Sequence, residues 1–165
     1  MSRIPKLDQI DVHILAELQR KGRIDNQDLA EAVGLTPSPC LKRVRALEAA
    51  GYIRSYHATL NLAKLGDPQV VFTQVTLANH RREDFLLFET AMSAVEELLE
   101  AHLVSGGFDY LLKFMTRDIA HYQTLMDDLL GRDLGITKYF SFIVLKSPIL
   151  KVGYPLGVVL EEPEN

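Results

Sequence analysis

The chain has 165 residues, of which 47% are apolar, and it carries a formal net charge of −4. This length can form one or two small domains with cores of their own, and the acidic balance argues against a uniformly cationic nucleic-acid-binding surface. The single cysteine excludes an intramolecular disulfide, and no apolar run resembles a signal peptide or a membrane span. The sequence therefore predicts a cytoplasmic protein with no membrane partner.

Two short helices are predicted at the N-terminal end of the chain. The first has apolar residues at helical spacing between Leu7 and Leu18, with Asp8 as its N-cap. The second is capped by Asp25 and ends at Gly34, a residue type that favours the backbone conformation found at helix C-termini. Both helices present apolar residues that can pack in one small core.

A third helix is predicted to begin at Pro37. Thr36 can accept a hydrogen bond at the N-cap, and proline fits the first helical position because the N–H that it lacks would have no helical partner there. Inside the helix, one stripe is apolar and another face is polar and cationic. The apolar stripe consists of Cys40, Val44 and Leu47, and the cationic face consists of Ser38, Lys42 and Arg45.

The second and third helices are separated by a turn of three residues, 34–36, which is typical of a helix-turn-helix. Early residues of such a third helix can reach base edges in the major groove, and cations one or two turns later can meet phosphates. A solvated basic surface is the alternative interpretation. Arg43 can brace the helix or contact a phosphate. The candidate DNA-contacting residues are Thr36, Ser38, Pro39, Lys42, Arg43 and Arg45.

Charge is distributed unevenly along the chain. Residues 1–57 contain nine Lys and Arg against seven Asp and Glu, whereas the remaining residues contain nine against fifteen. The N-terminal part is thus mildly basic and the rest acidic. This asymmetry fits a DNA-facing end joined to a part with another task.

After the helices, the β-prone residues from Tyr52 to Leu62 predict a strand in a small wing, and from Gln69 onward strands and helices alternate. The predicted strands begin at Gln69, Leu98, Tyr110 and Ile136, and the last three end at Ser105, Thr116 and Lys146. One helix is predicted around Phe85–Val95, and another follows Asp118 as its N-cap. The order β-α-β-β-α-β is the ferredoxin-like arrangement, so the predicted class is α+β.

The predicted domains are a helix-turn-helix domain at 1–52, a wing and hinge linker at 53–68, a ferredoxin-like domain at 69–150 and a C-terminal tail at 151–165. Two helices on one face of the predicted sheet leave its other face in need of a cover. A homodimer can supply that cover. The candidate residues for the buried face are Val70, Phe72, Phe140 and Phe142.

Residues 7–60 and the run VSGGFDYLLKF at 104–114 resemble the Lrp/AsnC family of bacterial and archaeal transcriptional regulators. The motifs that carry the resemblance include the opening Leu7-Asp8 pair, Gly22 with Arg23, Gly51 with Ile53, Tyr56 with Ala58, and Asp109 with Tyr110. The resemblance implies a winged helix-turn-helix, a hinge and a ferredoxin-like domain that binds amino acids or related metabolites. It also implies homodimers that assemble into tetramers, octamers or larger rings.

The SGGFDY loop has chemistry of its own. Two glycines let the backbone approach a ligand, their N–H groups can meet a carboxylate, and Asp109 can accept from an α-ammonium group. The alternative is a glycine-rich hairpin in which Asp109 only bonds its own backbone. The resemblance favours an effector site, completed by the last strand of the same or another subunit. Its candidate residues are Ser105, Gly106, Gly107, Phe108, Asp109, Thr137 and Ser141.

No catalytic constellation is predicted. The five histidines are dispersed, and HExxH, CxxC, phosphate-loop and nucleophile-elbow patterns are absent from the sequence, so neither a metal nor a cofactor is expected. The predicted function is therefore sequence-specific DNA binding that responds to a small metabolite. Two alternatives stay open: a tetrapyrrole enzyme similar to sirohaem decarboxylases, and a chromatin-organising protein with little sequence preference.

Overall fold

The structure, a computed structural model, describes residues 6–151 and 153–160, except the side chain of Ala63. The chain divides into two compact units. The first comprises the described residues up to Leu60 together with those from Ile149 onward, and the second comprises Asn61–Pro148. The C-terminal residues thus group with the N-terminal helices. Within the described residues, no helix is long and apolar enough to cross a membrane.

The first unit contains the three predicted helices. They are α1 (Gln9–Arg20), α2 (Asn26–Ala32) and α3 (Pro37–Ala49). The predicted caps of the first two are confirmed: Asp8 accepts from the backbone N–H of Asp11, and Asp25 accepts from those of Gln27 and Asp28. The helices share one core, whose buried residues are Ile14, Leu29, Ala30, Cys40 and Leu47. Cys40 is fully buried among these residues, which confirms its predicted role in packing, and this burial raises the pKa of its thiol.

The strand predicted between Tyr52 and Leu62 does not form. Residues 53–61 have no regular secondary structure, and a short 3-10 turn, Leu62–Lys64, follows them. A strand needs a neighbour for its backbone hydrogen bonds, and no strand of the described chain pairs with this segment. A side-chain bond instead ties the segment to α3, since the Tyr56 hydroxyl donates to Glu48 at 2.8 Å.

The second unit has the predicted βαββαβ order. Its elements are β1 (Gln69–Leu77), α4 (Arg82–Ser93), β2 (Leu98–Leu103), β3 (Tyr110–Thr116), α5 (Ile119–Gly131) and β4 (Ile136–Ile143). The antiparallel sheet has the order β2-β3-β1-β4. β2 and β4 end two and three residues before the predicted Ser105 and Lys146. One further backbone hydrogen bond follows each end before the chain leaves the sheet, from the Val104 N–H to the Asp109 carbonyl oxygen and from the Val144 N–H to that of Val70.

One face of the sheet carries the core of the second unit. β1 and β3 alternate between buried and half-buried residues along their lengths, as expected of strands with one face packed against helices. Thr73 is a fully buried polar residue on this face, and its hydroxyl is 2.8 Å from that of Tyr122 on α5. The Tyr122 hydroxyl is in turn 2.6 Å from that of the exposed Ser141 on β4, so a chain of three hydroxyls runs from the buried Thr73 to the surface of the unit.

The opposite face of the sheet exposes large apolar side chains. Phe140 and Phe142 on β4 are 51% and 50% exposed. Phe142 lies opposite Phe72 of β1 in the sheet register, so aromatic residues of neighbouring strands are adjacent. Lys138 Nζ lies 4.8 Å from the centroid of the Phe140 ring and covers it only in part.

Candidate functional site

Helix α3 has one packed face and one exposed face. Cys40 and Leu47 are buried and Val44 is half-buried, which fixes the helix against α1 and α2. Ser38, Pro39, Lys42 and Arg45 are exposed. The exposed face thus presents a small polar residue in the first turn and cations one and two turns later. This is the arrangement that suits a helix lying in the major groove.

Thr36 is the N-cap of α3, but its side chain makes no capping hydrogen bond, contrary to the sequence-based prediction. An N-cap side chain accepts from the backbone N–H of the second or third helical residue, and the third is Pro39, which has none. Asn26 of α2 instead stabilises the start of the helix by donating from Nδ2 to the Pro37 carbonyl oxygen at 2.8 Å.

Arg43 is engaged within the first unit. Its Nη1 lies 2.7 Å from Asp8 Oδ2 and 2.8 Å from Asp11 Oδ1, so it links α3 to the N-terminus of α1. Hydrogen bonds to Asp11 and Asp8 raise the pKa of the Arg43 guanidinium. This geometry matches the bracing role that the sequence left open for Arg43, and its contact with a phosphate stays a prediction.

The SGGFDY loop connects β2 to β3. Ser105, Gly106 and Gly107 are exposed and Phe108 and Asp109 are half-buried. Gly106 has a φ of 144°, a conformation that L side chains rarely adopt, so glycine is required there for backbone reasons. The loop therefore places three exposed residues, two of them glycines, next to the carboxylate of Asp109.

Asp109 fastens the SGGFDY loop to β1. Its backbone N–H donates to the Val75 carbonyl oxygen at 2.9 Å, and its Oδ2 accepts from the Leu77 N–H at 2.7 Å. The other carboxylate oxygen, Oδ1, lies 2.9 Å from His80 Nε2. Asp109 thus bonds neighbouring elements, in contrast to the alternative in which it bonds only its own hairpin.

His80 is a part of this site that sequence reasoning missed. It lies in the loop between β1 and α4, and its ring stacks on Phe85 with centroids 6.0 Å apart. His80 lies 29 positions before Asp109 in the sequence, and this spacing does not predict that the two side chains meet. Only the antiparallel pairing of β1 with β3 brings the loop after β1 next to the loop before β3.

Thr137 and Ser141 lie at different positions along β4 and pair with different parts of β1. The Thr137 hydroxyl donates to the Thr76 carbonyl oxygen at 3.1 Å, and Ser141 is bonded to Tyr122. Ser141 lies opposite Thr73 on β1, four residues from Leu77, which corresponds to roughly 13 Å along a strand. The structure therefore brings the five loop residues together and places Ser141 apart from them. Thr137, by contrast, bonds Thr76, the residue next to the Leu77 that Asp109 contacts.

Ser141 lines a cavity of about 450 Å³ between β4 and α5. This volume lies within the range of small-ligand pockets. The wall combines aliphatic side chains with hydroxyl, amide and carboxylate groups. The lining residues are Ile119, Tyr122, Gln123, Met126, Asp127, Tyr139, Ser141 and Ile143.

Comparisons with known proteins match both units. Residues 7–54 match the profile of the winged helix-turn-helix DNA-binding family, and residues 70–152 match that of the Lrp/AsnC ligand binding domain. The Leucine-responsive regulatory protein of Haemophilus influenzae is 45% identical over 140 residues, which cover 85% of this chain and 84% of that protein. The Escherichia coli K12 protein of the same name is 44% identical, with 85% of each chain covered.

Solved structures show the same fold. A transcriptional regulator from Neisseria meningitidis, NMB0573, in complex with L-Met superposes with a TM-score of 0.87 at 32% identity, covering 94% of this chain and all of that one. An AsnC family transcriptional regulator from Agrobacterium tumefaciens gives a TM-score of 0.87 at 30% identity, covering 93% and 100%. Together with the exposed face of α3 and the βαββαβ unit, these matches show that the chain belongs to the Lrp/AsnC family of transcriptional regulators.

Proposed function

We propose that this regulator reads DNA through the exposed face of α3 and changes its DNA binding when an amino acid occupies the second unit. The observation that carries the DNA-binding part is the division of α3 into a packed face and a cationic face. Ser38 and Pro39 lie near base edges or the sugar-phosphate backbone, with Thr36 beside them. Lys42 and Arg45 reach bases or phosphates.

Competition between DNA duplexes tests whether this binding is sequence-specific. A labelled duplex obtained by in vitro selection is bound by the protein and then challenged with unlabelled duplexes at one defined salt concentration. The selected sequence is expected to compete at least about a thousandfold better than unrelated DNA. This is the lower end of the ratio of specific to non-specific affinity among sequence-specific DNA-binding proteins. Equal competition by both duplexes would instead identify a chromatin-organising protein with little sequence preference.

The proposed effector is an aliphatic amino acid. Two of the named relatives are leucine-responsive, and one solved relative holds L-Met, so leucine and methionine are the first ligands to test. The chemistry of the second unit supports this class. Asp109 offers a carboxylate oxygen to an α-ammonium group, and the glycine N–H groups of the SGGFDY loop offer donors to the carboxylate. The cavity between β4 and α5 offers an apolar wall to the side chain.

The loop and the cavity are proposed to form one binding site across two subunits. Within one chain, Ser141 and Asp109 lie at separate positions along β1, whereas an assembly of subunits can place the loop of one against the cavity of another. A homodimer that associates into tetramers or octamers has such contacts. The effector then shifts the assembly towards the form that it binds better.

The partners of the chain are thus proposed to be double-stranded DNA, an amino acid and further copies of itself, in the cytoplasm and with no membrane partner. Its action is binding, with no catalytic step. Among the described residues, no group of three or more His, Cys, Asp and Glu side chains is arranged to hold a metal ion.

A thermal-shift screen against the twenty amino acids and their 2-oxo acids tests the effector, because a ligand that prefers the folded state raises the melting temperature. Leucine or methionine is expected to raise it in the natural protein and not in Asp109→Asn. Asparagine keeps an oxygen for the Leu77 N–H but loses the negative charge that attracts an ammonium group. Equal shifts in both proteins would contradict the role of Asp109.

A further inference from the structure

The two carboxylate oxygens of Asp109 have partners of different kinds. Oδ2 accepts from the backbone N–H of Leu77 at 2.7 Å, inside the sheet, and this partner is fixed by the fold. Oδ1 faces the imidazole of His80 at 2.9 Å. The Asp109 side chain is only 17% exposed, whereas that of His80 is 59% exposed. His80 is therefore the partner of Asp109 that can move away without disturbing the sheet.

Two further contacts define how His80 is held. It belongs to the loop of residues 78–81, which joins β1 to α4, and its ring lies nearly parallel to that of Phe85, at 28°. The centroid separation of 6.0 Å lies towards the long end for ring pairs. A single side-chain bond and a loose ring contact at an exposed residue give little stability, so the pair can open.

An amino acid that binds the SGGFDY loop needs the same oxygen. Its α-ammonium group is a cation that forms charge-assisted hydrogen bonds with a carboxylate. Oδ2 faces the backbone of β1, whereas Oδ1 faces the exposed His80, so Oδ1 is the oxygen that an ammonium group arriving from solvent meets. His80 Nε2 holds that position in this structure.

We propose that His80 sets the effector affinity of this site by competing with the α-ammonium group of the ligand for Asp109 Oδ1. The inference rests on the proposed function, since it takes the SGGFDY loop as the effector site. When His80 occupies Oδ1, only the molecules in which the pair is open can bind the ligand. The apparent dissociation constant is then the intrinsic constant divided by the fraction of open molecules. A 2-oxo acid has no ammonium group and cannot displace His80 in this way.

Isothermal titration of the full-length protein with L-leucine and with L-methionine tests the proposal. His80→Ala removes the competitor, so the dissociation constant of the ligand is expected to fall by about three- to tenfold. This is the change expected if the His80–Asp109 pair is closed in most molecules of the natural protein. His80→Gln keeps an N–H close to the position of Nε2 and is expected to stay within about twofold of the natural protein. The matched control is His102→Ala, because His102 is 56% exposed and also faces a carboxylate, that of Glu100 at 3.3 Å.

A second ligand separates competition from a general loosening of the loop. The 2-oxo acid of leucine, 4-methyl-2-oxopentanoate, is expected to gain nothing from His80→Ala, whereas a loosened loop would change its binding and that of leucine alike. An affinity for leucine or methionine that is unchanged or weaker in His80→Ala, while the natural protein binds, would overturn the role of His80 alone. Absence of binding in both proteins would contradict the effector site itself and the inference with it.

Discussion

The guanidinium of Arg43 donates to Asp11 over 2.8 Å and so joins α3 to the first turn of α1. Asp8 accepts from the same nitrogen at 2.7 Å, which makes Arg43 a link between two helices of the first unit. Arg43→Ala is therefore expected to lower the free energy of unfolding by about 1 kcal/mol, as for partly exposed ion pairs. Urea denaturation measures it, with Arg45→Ala as the control that leaves stability within about 0.5 kcal/mol.

The same link predicts a pH dependence. Burial of Asp8 opposes its ionisation, but hydrogen bonds from the Asp11 N–H and from Arg43 outweigh this, so the pKa of Asp8 is lowered. A carboxyl group whose pKa is lower in the folded protein stabilises it above the ordinary value of 3.8, and that stability is lost as the pH falls. We expect Asp8→Asn to reduce the loss of stability between pH 5 and pH 2, measured by urea denaturation. A curve parallel to that of the natural protein would be inconsistent with the Asp8–Arg43 link.

The exposed aromatic face of the sheet predicts a dimer interface. Phe142→Asp places a charge where two copies are proposed to meet, and it is expected to produce monomers in size-exclusion chromatography with light scattering. Leu87→Asp is the matched control, since Leu87 is 56% exposed but lies on α4, and it is expected to keep the natural mass. An unchanged mass for Phe142→Asp would exclude this face as the interface.

The hydroxyl chain inside the second unit predicts a stability effect at Tyr122. Tyr122→Phe leaves the fully buried Thr73 hydroxyl without its partner, and an unpaired buried group costs about 1–3 kcal/mol. Tyr139→Phe is the control, because Tyr139 is 39% exposed and its hydroxyl can reach water. Urea denaturation of both variants gives the comparison. Equal stabilities would show that Thr73 finds another acceptor or donor.

Gln19 of α1 binds the backbone of the C-terminal segment at Tyr154, within the first unit. Its Oε1 accepts from the Tyr154 N–H at 2.6 Å and its Nε2 donates to the Tyr154 carbonyl oxygen at 3.4 Å, so one amide pairs with both backbone groups. Gln19→Ala removes both hydrogen bonds and is expected to speed hydrogen exchange at the Tyr154 amide by tenfold or more. A loss of ~1.4 kcal/mol in the free energy of local opening raises the open population tenfold. Gln27→Ala, on the exposed surface of α2, is the control. Unchanged exchange at Tyr154 would show that other contacts hold the segment.

Local patterns were sufficient to predict most of the fold. The caps at Asp8, Asp25 and Asp118 depend on neighbouring residues alone, and the alternation in β1 directly reflects one buried sheet face. The strand expected after Tyr52 failed because strand formation depends on a partner that the periodicity of one segment does not supply. Thr36 makes no capping bond: Pro39 removes one of the two possible donors, and the N–H of Ser38, the other, is not used.

The candidate site was less accessible to sequence reasoning than the fold. The loop residues from Ser105 to Asp109 are contiguous, so their proximity is given by the chain itself. The bond between His80 and Asp109 depends on the register of β1 with β3, and the cavity that Ser141 lines depends on how α5 packs. Neither relationship leaves a signal in residue spacing, because each is set by tertiary packing.

The salt dependence of DNA affinity tests most directly whether α3 contacts DNA through Lys42 and Arg45, as proposed above. We predict that Lys42→Ala and Arg45→Ala each weaken binding to an in vitro selected duplex and reduce the slope of log affinity against log salt by about one where the lost cation met a phosphate. Lys146→Ala, an exposed cation of the second unit, is predicted to change neither quantity. Affinity and slope that stay the same in both α3 variants would contradict the assignment of α3 as the DNA-reading helix.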